Sequence, residues 1–189
     1  MNFLAHAWLA RHGSDAFLYG NLVADGIKGG DLTGLPDDAA QGVRHHRRVD
    51  AYVDAHPVVL NARRRSPHGL QRYSGIVLDL VWDHFLCRHL AVEDRDELIE
   101  RCYIILMQKP APARLKEMVP ILVREDWLRA YADFDFTCRA IRGIGTRLSG
   151  PNRLAELLPH LRHEYPRLER DFQALWTDTS EYLTARSGA

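Results

Sequence analysis

Residues 74–87 read SGIVLDLVWDHFLC and have the length and apolar content of a helix buried in a protein core. Asp79, Asp83 and His84 are the only acidic or basic side chains in this run. An unpaired carboxylate on a buried helix face costs several kcal/mol, so these aspartates require a partner. A bound metal ion and a buried arginine are the two alternatives that the run leaves open.

The sequence on either side of this run is helical in pattern. Apolar residues recur at helical spacing almost throughout, and no stretch alternates in the manner of a β-strand. We therefore expect an all-α fold, a single-domain helical bundle with Pro110, Pro112, Pro151 and Pro166 between its later helices. The expected helices cover residues 2–12, 14–29, 36–56, 57–66, 70–88, 94–108, 113–131, 134–148 and 164–185.

Composition excludes several classes of protein. The chain has 25 basic and 25 acidic residues, so no overall field favours nucleic acid or membrane as a partner. It has no basic leader and no apolar segment of 18 residues, and we expect neither a signal peptide nor a membrane span. Its three cysteines are widely spaced without a CxxC pair, which indicates a reducing cytoplasm and disfavours a thiolate zinc site.

Three predicted helices place acidic, amide or imidazole side chains four positions apart. Residues at this spacing share one helix face, so each helix can direct two ligands to a common point. Aspartate oxygens with imidazole nitrogens suit Mn, Fe, Zn or Mg, and such an ion activates water for hydrolysis. The residues concerned are His46, Asp50 and Asp54 on one helix, Asn21 and Asp25 on another, and Asp79 and Asp83 on the third.

Other roles are open for several of these residues. His6 lies in an apolar stretch and is either a core histidine or a ligand. Asn21 either bridges two helices or reaches the site, and Asp54 lies near a helix end where capping is an alternative. His45 is about 100° around the helix from His46. Only one of this pair is expected to face inward, and the four-residue spacing selects His46.

The same segments resemble the acyl carrier protein phosphodiesterases, also called ACP hydrolyases. The resemblance spans the chain and is strongest in residues 1–90, while the C-terminal half matches in length, helical character and the tract EDWLRAYADFDF (125–136). The segments that carry it are MNFLAHAWLA (1–10), GNLVADGIKG (20–29), GVRHHRRVDAYVDAHP (42–57) and LDLVWDHFLCRH (78–89).

This resemblance implies one helical hydrolase domain over residues 1–189, similar to the HD-domain phosphohydrolases. It implies removal of the 4'-phosphopantetheine arm from holo acyl carrier protein by hydrolysis of a phosphodiester. The expected cofactor is a divalent metal ion, Mn in the first place and Mg, Fe or Zn as alternatives. Two other functions stay open, a phosphohydrolase of small nucleotides and a non-catalytic helical binding module.

The family's recurrent polar positions fall on a defined set of residues in this chain. They are His6, Asn21, Asp25, His46, Arg47, Asp50, Asp54, Asp79, Asp83 and His84. From them we expect metal ligands at His6, Asp25, His46, Asp79 and Asp83, and catalytic roles for Asp25, Asp83 and Arg47. We expect substrate contacts from Asn21, Lys28, Arg44 and Arg48, and supporting contacts to the ligands from Asp50, Asp54 and His84.

Two features depart from the family pattern, and a third, separate feature suggests how the substrate docks. The pair Asp83-His84 is reversed relative to the HD name, and Gly26 stands where relatives have a bulky residue. Residues 44–72 hold seven arginines against two aspartates. Because acyl carrier proteins are small and strongly acidic, we expect this stretch to form a docking face whose binding weakens with salt.

Overall fold

The computed structural model describes residues 2–147 and 152–187. These residues form helices joined by turns and contain no β-strand, which confirms the prediction of an all-α protein. The α-helices in chain order are α1 Phe3–Ala10, α2 Asp15–Leu22, α3 Asp37–Ala55, α4 Pro57–Arg65, α5 Ser74–His89, α6 Val92–Gln108, α7 Met118–Arg124, α8 Trp127–Ala130, α9 Phe134–Arg147 and α10 Leu158–Ser187. Short 3₁₀ turns cover Ala24–Gly26, Gln71–Tyr73 and Leu154–Leu157.

Several helix starts agree with their sequence signals. The hydroxyl of Ser14 accepts a hydrogen bond from the backbone N–H of Phe17 at 3.1 Å and so caps α2. Pro57 occupies the first turn of α4, where its missing N–H removes no helical hydrogen bond. The ring of His56 caps the same helix by accepting from the N–H of Val58.

Other helix boundaries differ from the prediction. The expected helix over 14–29 ends at Leu22, and a 3₁₀ turn follows it. The expected helix over 113–131 is divided into α7 and α8 at Asp126, whose φ of 50° lies in the left-handed region. The last helix, expected from residue 164, begins at Leu158 and continues through Pro166, with Leu161 and Leu168 buried on either side of the proline. Residue 148 and Pro151 lie outside the described residues.

The chain divides into two compact units. The N-terminal unit comprises residues 2–49 and 86–130. The C-terminal unit comprises residues 50–85 and the chain from residue 131 onward. The expectation of a single domain stays a prediction. Among the helices of the described ranges, none is long and apolar enough to cross a membrane.

The core of the C-terminal unit is aromatic. Trp82 and Phe85 of α5 lie 6.2 Å and 5.8 Å, between ring centroids, from Phe172 of α10. All three side chains are almost completely buried. The apolar run over 74–87 is therefore a buried helix, as its composition predicts, and aromatic contacts of this kind stabilise it beyond the burial of area.

The N-terminal unit depends on two glycines where α2 meets α3. A Cβ atom on Gly20 would lie 1.9 Å from the carbonyl oxygen of Ala39, and one on Gly42 would lie 2.0 Å from that of Phe17. Real Cβ atoms do not approach backbone that closely, so the two helices cross at a distance that only glycine permits.

Replacement of Gly42 by alanine should destabilise the protein. The added methyl group would meet the Phe17 carbonyl, and overpacking of this kind costs about 1–3 kcal/mol. Urea unfolding followed by circular dichroism measures the change in the free energy of unfolding. Gly34→Ala is the control, because a Cβ atom there meets nothing within 4 Å. Equal stability of the two variants would contradict the close crossing.

Candidate functional site

Two histidines of the N-terminal unit stack against each other. The rings of His6 and His46 have centroids 3.6 Å apart and an interplanar angle of 13°. His6 on α1 is 1% exposed and His46 on α3 is 5% exposed. A ring nitrogen of one lies within 4.8 Å of a ring nitrogen of the other. Two imidazoles that come from helices 40 residues apart in sequence are thus presented side by side.

A carboxylate lies close to His46. Asp25, in the 3₁₀ turn after α2, places Oδ1 3.4 Å from Nε2 of His46, and its side chain is 68% exposed. Asp50 follows His46 by one turn on α3 and so lies on the same face of the helix, and its expected supporting role stays a prediction. Imidazole nitrogens with carboxylate oxygens are a donor set that suits a first-row divalent ion. The residues present therefore fit the kind of metal that the family resemblance implies.

Asn21 links α2 to α3 through His45, the histidine that precedes His46. Its side-chain amide lies 2.9 Å from Nδ1 of His45, and the NH₂ group donates to that ring nitrogen. Burial, together with the positive charge of Arg48 and a contribution from His46, lowers the pKa of His45 to about 4. His45 is therefore neutral at pH 7, as an acceptor at Nδ1 must be. This is the bridging role that the sequence left open for Asn21, and substrate contact by Asn21 stays a prediction.

Arg47 holds the turn that carries Asp25. Its guanidinium donates a hydrogen bond to the carbonyl oxygen of Ile27 at 2.9 Å. Lys28, two residues after this turn, is exposed, as are Arg44 and Arg48 on α3. These three cations form no ion pair with any residue that the structure describes. They remain available to a phosphate group, as the prediction of substrate contacts requires.

The C-terminal unit holds a second group of carboxylates. Burial raises the pKa of Asp79, and the negative charges of Asp50 and Asp54 raise it further. Asp83, one turn along α5, is completely buried. Asp54 is exposed and pairs with Arg63 at 2.5 Å. The expected metal ligation by Asp79 and Asp83 stays a prediction, as does the supporting role of Asp54.

Both ring nitrogens of His84 are already used. Nδ1 lies 2.7 Å from the carbonyl oxygen of Tyr131, which can only accept, so Nδ1 carries the proton and donates it. Nε2 lies 2.7 Å from the hydroxyl of Tyr165, which donates to it when the ring is neutral. His84 therefore has no nitrogen left for a metal. Its expected role of supporting the metal ligands stays a prediction.

The arginine-rich stretch is only partly available for docking. Within the C-terminal unit Arg65 pairs with Glu164 at 3.0 Å and also with Asp171, and its side chain is 17% exposed. Arg63 is held by Asp54. The exposed arginines of the stretch are Arg44, Arg48, Arg64 and Arg72.

The segment after α6 is a neighbour of the site that the sequence did not predict. A Cβ atom on Gly26 would lie 2.8 Å from Pro112 and 3.0 Å from Leu115, so the segment after α6 packs against the turn of Asp25. The only signal in the sequence is the pattern KPAPARLK over 109–116, which combines prolines with basic residues. Its position beside Asp25 depends on folding.

This fold and this site define a class of all-helical proteins with paired histidines and carboxylates. The chain belongs to the acyl carrier protein phosphodiesterase family, whose profile matches residues 1–179. The family resemblance read from the sequence is thereby confirmed.

Curated relatives carry the same description. Proteins named acyl carrier protein phosphodiesterase from Salmonella agona (strain SL483) and Salmonella newport (strain SL254) are each 34% identical to this chain over 178 residues. The match covers 91% of this chain and 92% of each relative. No solved structure matches the chain significantly.

The neutral state of His45 predicts how stability depends on pH. Its pKa is about 4 in the folded protein against 6.5 ordinarily, so folding disfavours its protonation. Its contribution to the free energy of unfolding is present above pH 6.5 and is lost as the pH falls towards 4. NMR titration of the His45 ring in metal-free protein measures this pKa. An apparent pKa near 6.5 would contradict the buried acceptor role.

Proposed function

We propose that this protein hydrolyses the phosphodiester that joins 4'-phosphopantetheine to the serine of holo acyl carrier protein. The P–O bond to the serine breaks, water supplies the new oxygen on phosphorus, and apo acyl carrier protein leaves with a free serine hydroxyl. Membership of the family and the names of the relatives support this substrate. The observation that carries the chemistry is the stacked pair His6 and His46 beside Asp25.

We propose further that a divalent ion binds at this pair, with manganese first and Mg, Fe or Zn as alternatives. His6 and His46 would supply nitrogen ligands, and Asp25 would supply an oxygen ligand. When bound, such an ion lowers the pKa of a coordinated water and offsets charge on the phosphoryl oxygens. The mixed nitrogen and oxygen donor set supports this assignment.

The chain's own residues perform the remaining tasks. Arg47 positions the Asp25 turn through its hydrogen bond to Ile27. Lys28 and Arg48 bring exposed positive charge to the phosphoryl oxygens, where charge grows as the bond breaks. The carboxylate of Asp25 faces solvent and accepts the proton of the attacking water.

Conversion of holo to apo acyl carrier protein tests the proposed reaction. Intact-protein mass spectrometry should show loss of the phosphopantetheine arm in the presence of Mn²⁺. His46→Ala should lower kcat/KM by about 100-fold or more, because removal of a ligand costs at least as much as removal of its supporting contacts. His12→Ala, an exposed change on the same unit, is the control. A wild-type protein that leaves the carrier intact with every divalent ion, yet hydrolyses nucleotides, would favour the small-nucleotide alternative.

Metal affinity provides a test that does not depend on turnover. Calorimetric titration of chelator-treated protein with Mn²⁺ should give a dissociation constant at least about tenfold higher for His6→Ala than for the wild type. The same titration on His68→Ala, an exposed histidine in the C-terminal unit, should match the wild type. Unchanged affinity in the His6 variant would show that the stacked pair does not bind the ion.

A further inference from the structure

Residues 109–117 connect α6 to α7 and lie against the turn that carries Asp25. The contact is close, because a Cβ atom on Gly26 would come within 2.8 Å of Pro112 and 3.0 Å of Leu115. Gly26 directly follows Asp25 in the sequence. The segment is therefore a wall beside the candidate metal ligands and belongs to the same compact unit.

A second contact anchors the start of this segment. The hydroxyl of Tyr19 on α2 donates a hydrogen bond to the carbonyl oxygen of Pro110 at 2.6 Å. The ammonium group of Lys109 lies 5.5 Å from the centroid of the Tyr19 ring, within the range of a cation–π contact. Tyr19 lies two residues before Asn21, so the helix that leads to Asp25 also holds the segment.

The segment presents positive charge to solvent. It contains Lys109, Arg114 and Lys116 against a single acidic residue, Glu117. Arg114 and Lys116 are exposed, and neither forms an ion pair within the described part of the chain. The segment contrasts with Arg65, whose charge is taken up by an ion pair inside the C-terminal unit.

An exposed apolar pair precedes this segment in the chain. Ile104 and Met107 lie about one turn apart near the end of α6 and are 54% and 59% exposed. Only four large hydrophobic side chains are exposed in the described residues, and these two are neighbours. Exposed apolar side chains are typical of a surface that meets a partner protein, and Met107 precedes the basic segment by only two residues.

We propose that residues 109–117, together with Ile104 and Met107, form the docking surface for the acidic carrier protein. The inference rests on the proposed function, which supplies a partner of opposite charge. The cations attract the carrier's acidic surface, and the apolar pair covers its apolar side chains. Docking here brings the carrier beside the Asp25 turn, where its phosphodiester must react.

Reversal of two charges tests the surface. Arg114→Glu combined with Lys116→Glu should raise KM for holo carrier protein about tenfold at low salt, since surface charges act mainly on association. The value of kcat should stay within about twofold, because the surface does not contact the reacting atoms. The rise in KM should shrink as salt increases. Ile104→Ser combined with Met107→Ser should raise KM at every salt concentration.

Direct binding separates this inference from the proposed reaction. Biolayer interferometry with immobilised holo carrier protein measures the dissociation constant without turnover. Weaker binding of the charge-reversed variant would support the docking surface whether or not the wild type hydrolyses the carrier. Failure of the wild type to hydrolyse the carrier would overturn only the proposed reaction. The matched control is Arg167→Glu with Arg170→Glu, two exposed arginines of α10 that form no ion pair in the described chain. Unchanged binding in the Arg114 and Lys116 variant, or an equal loss in the control, would overturn the docking surface.

Discussion

The close crossing of α2 and α3 is the constraint on which the candidate site depends. At Gly20 and Gly42 each helix meets the backbone of the other at a distance that excludes a Cβ atom. This approach lets Asn21 reach across to His45. One residue later on α3, His46 then faces His6 and Asp25. Two glycines thus bring together the side chains that could hold an ion.

Neighbouring histidines on α3 have different tasks because the helix turns about 100° per residue. His45 accepts a hydrogen bond and is kept neutral by burial, which fits a structural bridge. His46 stacks on His6 and contacts a solvent-facing carboxylate, which fits a ligand. A similar division holds on α5, where His84 has both ring nitrogens engaged beside the buried Asp83. In each case the fold engages one imidazole in hydrogen bonds to other parts of the protein.

The predicted helix starts agree with the structure where the sequence carries a local signal. Ser14 and Pro57 mark helix starts because capping is a contact between residues close in sequence. The predicted start of the last helix at residue 164 was too late, because burial of Leu161 and Leu168 offsets the cost of Pro166 inside α10. The early end of α2 was also missed. Helical periodicity continues beyond Leu22, but the chain there turns to place Asp25 near His46.

The amino-acid sequence by itself determined the helical class, the family and the polar residues that share a helix face, because periodicity and motif spacing are local properties. Only the tertiary structure decided which of these residues meet. His6 stacks on His46, which is 40 positions away in sequence. Arg65 forms an ion pair with Glu164, nearly 100 positions away, and is therefore not free to bind a partner. The segment over 109–117 becomes a wall of the site only because Gly26 has no side chain. Contacts between distant positions follow from packing in three dimensions, and spacing along the chain does not encode them.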